Sequence, residues 1–318
     1  MELIIKPTGR CNFACSFCSA NLANIKHSQK VPDKLKEVIE ILKPDDVIFT
    51  GGDPLMVSPS YYEEFLSLGN FTVSFTTNLK DFYFHPEKWR ELFKNPRLDI
   101  CTSFQYGSSR KWDKDTVYTE EMFIKVMTKF KEEIGHMPPF IAVISKDNED
   151  RALDHLRLAK KLGTQCKMNG MLPYGLSKDF YPLYKMIDIW KAMYESELSE
   201  WWDNSRQFFL GTCNFNTNIL CESTIRTFWL NDKEEIVYSN CEDCAVQGKT
   251  IPLESERPIQ KPVDVPIKEI ISPKCLSCDL FRLCNACKSM RKINKMTPNH
   301  CAEMKKRESW IKEAGWKL

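Results

Sequence analysis

Near the start of the chain stands Cys11-Asn12-Phe13-Ala14-Cys15-Ser16-Phe17-Cys18, three cysteines in a Cx3Cx2C run. Three thiolates this close on one loop can converge on a single iron-sulfur cluster while leaving one iron without a protein ligand, and an open iron is a place for chemistry. A zinc site would normally want four protein ligands, and no histidine or fourth cysteine is near in sequence; structural zinc is the competing reading. The whole chain has 14 cysteines against 5 histidines. Its N-terminus, Met1 to Pro7, holds too short an apolar stretch for a secretory signal, and no later run reaches the roughly 18 apolar residues of a membrane span. A cytoplasmic location without membrane contact is expected, and in that reducing compartment clustered cysteines hold metal more readily than they pair as disulfides. Cys101 and Cys166, in apolar strand-like segments, read as buried small hydrophobes; the other twelve cluster.

Such a loop needs a scaffold. The 318 residues allow one large domain or two smaller ones, and 42% hydrophobic with 28% charged residues is the composition of a folded globular chain. With 45 Lys+Arg against 43 Asp+Glu, a net charge of +2 excludes the strong positive field of a dedicated nucleic-acid binder. To about residue 175, short apolar runs alternate with helix-period segments, the pattern of repeated strand-helix units and a parallel sheet. The predicted strands are Leu3–Pro7, Asp46–Thr50, Thr72–Thr77, Leu98–Phe104, Phe140–Ser145 and Thr164–Leu172. Pro32-Asp33 opens a helix with Leu35, Val38, Ile39 and Leu42 on one face, and Thr119 opens another with Met122, Val126 and Phe130. Six right-handed units of this kind curl into an open, partial (β/α)6 barrel of the TIM type, with the loops after the strand ends facing a common mouth. The cysteine run follows the first strand, and Thr50-Gly51-Gly52-Asp53-Pro54 follows the second. Cys101, Cys166, Tyr106 and Tyr174 are expected near that mouth.

Residues 178–210, with Trp190, Met193, Trp201 and Trp202, read as a helical connector whose tryptophans pack rather than bind a cofactor. From Gly211 to the end, nine cysteines fall within 89 residues, in short segments with a proline-rich stretch at Ile251–Pro273. The expected division is therefore 1–177 for the barrel, 178–210 for the connector and 211–318 for a smaller domain stapled by metal. Its core spacing is Cys275-x2-Cys278-x5-Cys284-x2-Cys287, then Cys301, with Cys213-x7-Cys221 and Cys241-x2-Cys244 upstream. Paired CxxC units suit tetrahedral zinc as well as iron-sulfur clusters.

The triplet Cys11, Cys15 and Cys18, in order with the glycine pair, resembles the radical S-adenosylmethionine (SAM) superfamily over most of the chain. The resemblance implies that the three cysteines hold a 4Fe-4S cluster whose open iron is chelated by SAM. Gly51-Gly52-Asp53-Pro54 resembles the family's GGEP-type motif, whose backbone binds the SAM amino group, with Asp53 where Glu is more usual. Thr77 and Asn78, Ser103 and Gln105, Ser145, and Leu172 occupy strand ends where family members contact SAM, and Arg110 is a candidate partner for its carboxylate. The C-terminal cysteines resemble the SPASM extension with its two auxiliary 4Fe-4S clusters. By that analogy Cys275, Cys278, Cys284 and Cys301 hold one, and Cys213, Cys221, Cys241 and Cys287 the other, leaving Cys244 over. The last core interval is x2 where the family has x3, and Thr227–Lys233 resembles the hairpin that leads to a cluster ligand but lacks its usual glycine.

What the resemblance implies is an enzyme that cleaves SAM reductively to a 5′-deoxyadenosyl radical and abstracts hydrogen from its substrate, fed by an electron donor such as flavodoxin or ferredoxin. Peptide modification by crosslinking, epimerisation or oxidation is the leading expectation. A small molecule, or a hypermodified nucleobase such as the amino-acid-decorated thymidine of phage DNA, is the alternative, with the enzyme then acting as an isomerase or modifying enzyme. The basic segment Lys288–Arg307 is a candidate for phosphate contact. A non-enzymatic electron-transfer protein is the different class, and the missing fourth ligand on the first loop argues against it.

Overall fold

Along the first strand, β1 (Glu2–Lys6), Leu3 and Ile5 are buried while Glu2, Ile4 and Lys6 are half-buried. This period-2 alternation turns one side of each strand toward covering helices and the other toward the barrel interior. The computed structural model describes residues 2–18, 25–171, 176, 181, 183–203, 225–231, 233, 235–240, 251–252, 277 and 300–313. Within them follow α1 (Asp33–Leu42), β2 (Asp46–Phe49), α2 (Pro59–Leu66), β3 (Thr72–Thr76), α3 (Lys80–Phe84), α4 (Pro86–Phe93) and β4 (Leu98–Ser103). Next come α5 (Glu120–Ile134), β5 (Phe140–Ile144), α6 (Ala152–Leu162), β6 (Cys166–Gly170) and α7 (Leu183–Glu195). The last elements are β7 (Ile225–Leu230), β8 (Ile236–Asn240), β9 (Ile251–Pro252) and α8 (His300–Glu313).

The sheet runs β6-β5-β4-β3-β2-β1-β7-β8-β9. Strands β1 to β6 pair in parallel in chain order, as the alternating pattern predicts, from Ile5 opposite Phe49 to Phe140 opposite Cys166. The structure adds a seventh parallel strand to the six that the sequence predicts. β7 lies beside β1 with Glu2 opposite Ile225 and Lys6 opposite Trp229, and the segment read as a hairpin turns back antiparallel as β8. This strand covers an edge of β1 that would otherwise expose unpaired backbone groups. The parallel part stays unclosed, an open barrel wall with helices outside.

The signals that predict α1 and α5 act as expected. Leu35, Val38, Ile39 and Leu42 are the buried face of α1, and the Thr119 hydroxyl accepts the Met122 amide as the cap of α5. Aromatic rings fill the layer between sheet and helices: Phe49 lies 4.9 Å from both Tyr62 and Phe65, and Phe75 lies 4.7 Å from Tyr62. Such pairs contribute about 0.5–1.5 kcal/mol each beyond the area they bury. Trp190, Met193 and Trp202 are buried in the connector, with Trp202 bridging to Cys166, and α8 lays Trp310 and Ile311 into the same core. Among the described residues no helix is long and apolar enough to cross a membrane.

Cys166 is the first residue of β6 and fully buried. It therefore stands at the strand end away from the mouth, contrary to expectation. Tyr106 is buried among the starts of α5 and α6: its hydroxyl bonds Glu120 at 3.0 Å and Arg151 lies over its ring. Tyr174 lies outside the described residues.

Candidate cluster and cofactor site

Past the ends of β1 and β2 the two chains continue side by side. The Thr50 amide donates to Ile5, Gly52 to Thr8 at 2.9 Å and Asp53 to Arg10 at 2.7 Å. Gly51 has φ +124°, and a Cβ there would stand 2.7 Å from the Thr8 carbonyl; a Cβ on Gly52 would collide with the Arg10 carbonyl. Only glycine lets the root of the cysteine loop lie flush on the end of β2.

Beyond that root, the loop is held from a second side. Ala14 and Ser16 donate their amides to Lys111 and Ser109 at 3.1 and 3.0 Å. The 109–118 segment is itself a hairpin, closed by the Tyr118 amide on Arg110 and the Trp112 amide on Thr116. Phe13 enters this seam with its ring 5.4 Å from Trp112 and 4.9 Å from Tyr118. The Leu176 amide, after β6, donates to the Cys18 carbonyl at 2.8 Å. The Cys11 thiol is exposed, and Cys15 and Cys18 are half-buried. Among the described residues no three His, Cys, Asp or Glu side chains are gathered as for a single metal ion; a four-iron cluster spans more than one ion and takes thiolates set wider apart.

The side chain of Asp53 points away from the loop into the protein. It is 2% exposed and accepts from the Leu55 amide (2.9 Å), the Thr77 hydroxyl (2.9 Å) and the Asn78 amide (2.7 Å). Burial pushes its carboxyl up to about 6 although these donors pull the other way. Pro54 starts the 3-10 turn whose cap is Asp53, and its carbonyl accepts the buried Tyr62 hydroxyl at 2.6 Å. Asp53 thereby ties the glycine turn to the end of β3. Asn78 carries the connection onward: its side-chain amide donates to Asn12 Oδ1 at 2.8 Å and reaches Cys11 Sγ at 3.7 Å.

Ser103 and Gln105 converge on one cation. The Arg110 guanidinium donates to Ser103 Oγ (2.9 Å) and Gln105 Oε1 (3.1 Å), and its carbon lies 5.1 Å from the Phe17 ring centroid. Arg110 is 7% exposed, its Nε has no partner among the described residues, and the three loop cysteines lie within its electrostatic reach. Ser145 closes the turn after β5: its hydroxyl accepts the Asp147 amide and its own amide donates to Asn148. Leu172 and Cys213, Cys221, Cys241, Cys244, Cys275, Cys278, Cys284 and Cys287 lie outside the described residues; Cys301 is the second residue of α8.

Two contributors carry no motif and were missed. Fully buried Asn148 donates to the Tyr106 and Val143 carbonyls, both at 3.0 Å, and Lys80 donates to the carbonyls of Asn12 and Trp112. Only the three-dimensional meeting of three strand-end loops reveals them.

Residues 5–186 match the family model described as the Radical SAM superfamily, more than half of the chain. The chain belongs to that superfamily, whose members are enzymes that use a 4Fe-4S cluster and SAM. Among solved structures, it is similar to hexahistidine-tagged anSMEcpe with bound AdoMet, at 15% identity and TM-score 0.65, covering 99% of this chain and 97% of that one. Streptococcus suis SuiB bound to S-adenosylmethionine matches at 16% identity and TM-score 0.58, over 91% of this chain and 73% of that one. The same protein bound to precursor peptide SuiA matches at 16% identity and TM-score 0.62, over 91% and 72%. These likenesses establish the fold. No curated protein matches the chain.

Proposed function

We propose that this radical SAM enzyme abstracts a hydrogen atom from a peptide and so crosslinks, epimerises or oxidises it. The observation that carries the reading is the cysteine loop pinned at the mouth of a barrel whose fold extends over 91% of the chain to a protein bound to its precursor peptide. When bound, the reduced cluster and SAM supply a 5′-deoxyadenosyl radical.

The chain's own residues bind and orient. Cys11, Cys15 and Cys18 hold the cluster, and the donor set fits, three thiolates leaving one corner open. The Gly51–Pro54 backbone would bind the SAM amino group. Arg110, braced by Ser103 and Gln105, offers its unpaired buried Nε to the SAM carboxylate, a charge-assisted contact that would remove a polar orphan. Thr77 and Asn78 act through Asp53 and Cys11, Ser145 closes the turn after β5, and Leu172 is proposed as a SAM contact. In this reading the chain divides into 1–177, 178–210 and 211–318, the last part lending β7 to the barrel sheet, with two auxiliary 4Fe-4S clusters on Cys275, Cys278, Cys284, Cys301 and on Cys213, Cys221, Cys241, Cys287. The protein works in the cytoplasm, with flavodoxin or ferredoxin as electron donor. Lys306, from the basic segment, bonds Asp188 at 2.6 Å, which weakens its use as a phosphate contact.

The test is transfer of deuterium into 5′-deoxyadenosine from a uniformly deuterated candidate peptide, run beside a deuterated nucleoside. Transfer from the peptide alone is expected; transfer from the nucleoside alone would move the assignment to nucleobase chemistry.

A further inference from the structure

The ammonium of Lys80 sits where two segments meet at the cysteine loop. It donates to the carbonyl of Asn12 at 3.1 Å and of Trp112 at 2.6 Å, 4.5 Å from the Trp112 ring centroid and 5.8 Å from that of Phe13. Asn12 follows Cys11 directly, and Trp112 belongs to the hairpin that receives the Ala14 and Ser16 amides. One side chain therefore staples the Cys11 end of the loop to the hairpin that holds its other half.

Lys80 is itself held in place by the site. Its backbone amide donates to Asn78 Oδ1 at 2.8 Å, the Asn78 amide donates to Asp53, and Asp53 follows the glycine pair. Glycine turn, carboxylate, Asn78 and Lys80 form one chain of contacts that begins and ends on the cysteine loop. The carbonyls and aromatic faces around the half-buried ammonium suit a cation.

We propose that Lys80 is a positioning residue that fixes the Cys11 end of the loop and, as a positive charge held on the carbonyl of the residue after Cys11, raises the reduction potential of the centre those cysteines hold. The inference rests on the reading of Cys11, Cys15 and Cys18 as cluster ligands. Reduction adds negative charge, which a fixed cation in a half-buried place favours, and net charge and hydrogen bonds to sulfur are what set such potentials. The Asn78 amide near Cys11 Sγ acts in the same direction.

The experiment is a dithionite titration with redox mediators, followed by electron paramagnetic resonance, on the full chain reconstituted without oxygen. Wild type is compared with Lys80→Met, Lys80→Gln and Lys80→Arg, with iron per chain measured on each. At a fixed poise the reduced-to-oxidised ratio is expected to fall about tenfold in the neutral Met and Gln variants, 59 mV for a one-electron couple, and to stay within about threefold of wild type in Arg. Gln keeps a donor for the carbonyls, so its iron should match wild type. Equal potentials in all four proteins, or the same shift in Arg as in Met and Gln, would overturn the proposal. Iron that survives Cys15→Ala unchanged would overturn the cluster reading beneath it.

Discussion

The carbonyl oxygen of Arg10 occupies the place that a Cβ on Gly52 would take, and it accepts the amide of Asp53 at 2.7 Å. The residue before the first loop cysteine is thus locked to the turn after the second strand, so that the cysteines and the glycine motif form one rigid unit.

Gly52→Ala should separate the two. The methyl group has backbone on the far side, which cannot swing aside as a flexible side chain could. Overpacking of this kind costs about 1–3 kcal/mol. The thermal midpoint should fall, and iron bound per chain should fall with it; unchanged iron would mean that the loop holds its shape without the turn.

Arg110→Met should leave the cluster and weaken SAM. Losing a charge-assisted contact costs about 1.5–3 kcal/mol, roughly a ten- to hundredfold rise in the SAM dissociation constant. Equilibrium binding on the reconstituted variant reads this directly, and unchanged affinity would move the carboxylate to another partner. Arg110→Lys should recover part of the loss, because a point charge cannot reproduce the fork that spans Ser103 and Gln105.

Stability should depend on pH through His155. Its Nε2 accepts the Tyr106 amide at 3.2 Å and its Nδ1 faces the Arg151 carbonyl at 3.0 Å, so the buried ring is neutral. Burial holds its pKa at about 4, below the ordinary histidine value of 6.5. The unfolded chain then binds the extra proton first as pH falls. The stabilisation is complete above pH 6.5 and is lost progressively between 6.5 and 4, about 3 kcal/mol in all. Denaturant titrations at about pH 7.5 and about pH 5 should show a larger loss of stability in wild type than in His155→Gln, a comparison in which the opposite contribution of Asp53, whose carboxyl is raised to about 6, cancels.

How much of this was legible depends on the range of the contacts involved. Strands β1 to β6, the cap at Thr119 and the glycine pair are local in sequence, and each has a periodicity or spacing that announces it. The partnership of β1 with β7 joins residues more than two hundred positions apart, and nothing in Ile225–Leu230 marks which edge it will cover. Asp53 and Asn78 were found as candidates, yet their geometry directs one into the protein and the other onto Cys11, roles that depend on how the loops after β1, β2 and β3 meet. Lys80 had no signal at all, since a lysine at a helix start is ordinarily a solvated charge.

The C-terminal cysteines make a prediction of their own. With both auxiliary clusters in place, protein purified without oxygen should hold about twelve irons per chain, three clusters of four. Cys275→Ala should lose about four while leaving the SAM-binding cluster. About four irons with stoichiometric zinc would make that region a zinc-stapled one.

The most direct test is the Cys15→Ala variant, reconstituted with iron and sulfide under the same conditions as wild type, reduced with dithionite and assayed for 5′-deoxyadenosine formed from SAM. The expected result is abolished cleavage in the variant against steady formation by wild type, with the iron of the C-terminal region unchanged. Formation of 5′-deoxyadenosine by the variant at the wild-type rate would contradict the assignment of Cys11, Cys15 and Cys18 as the centre of this enzyme's chemistry.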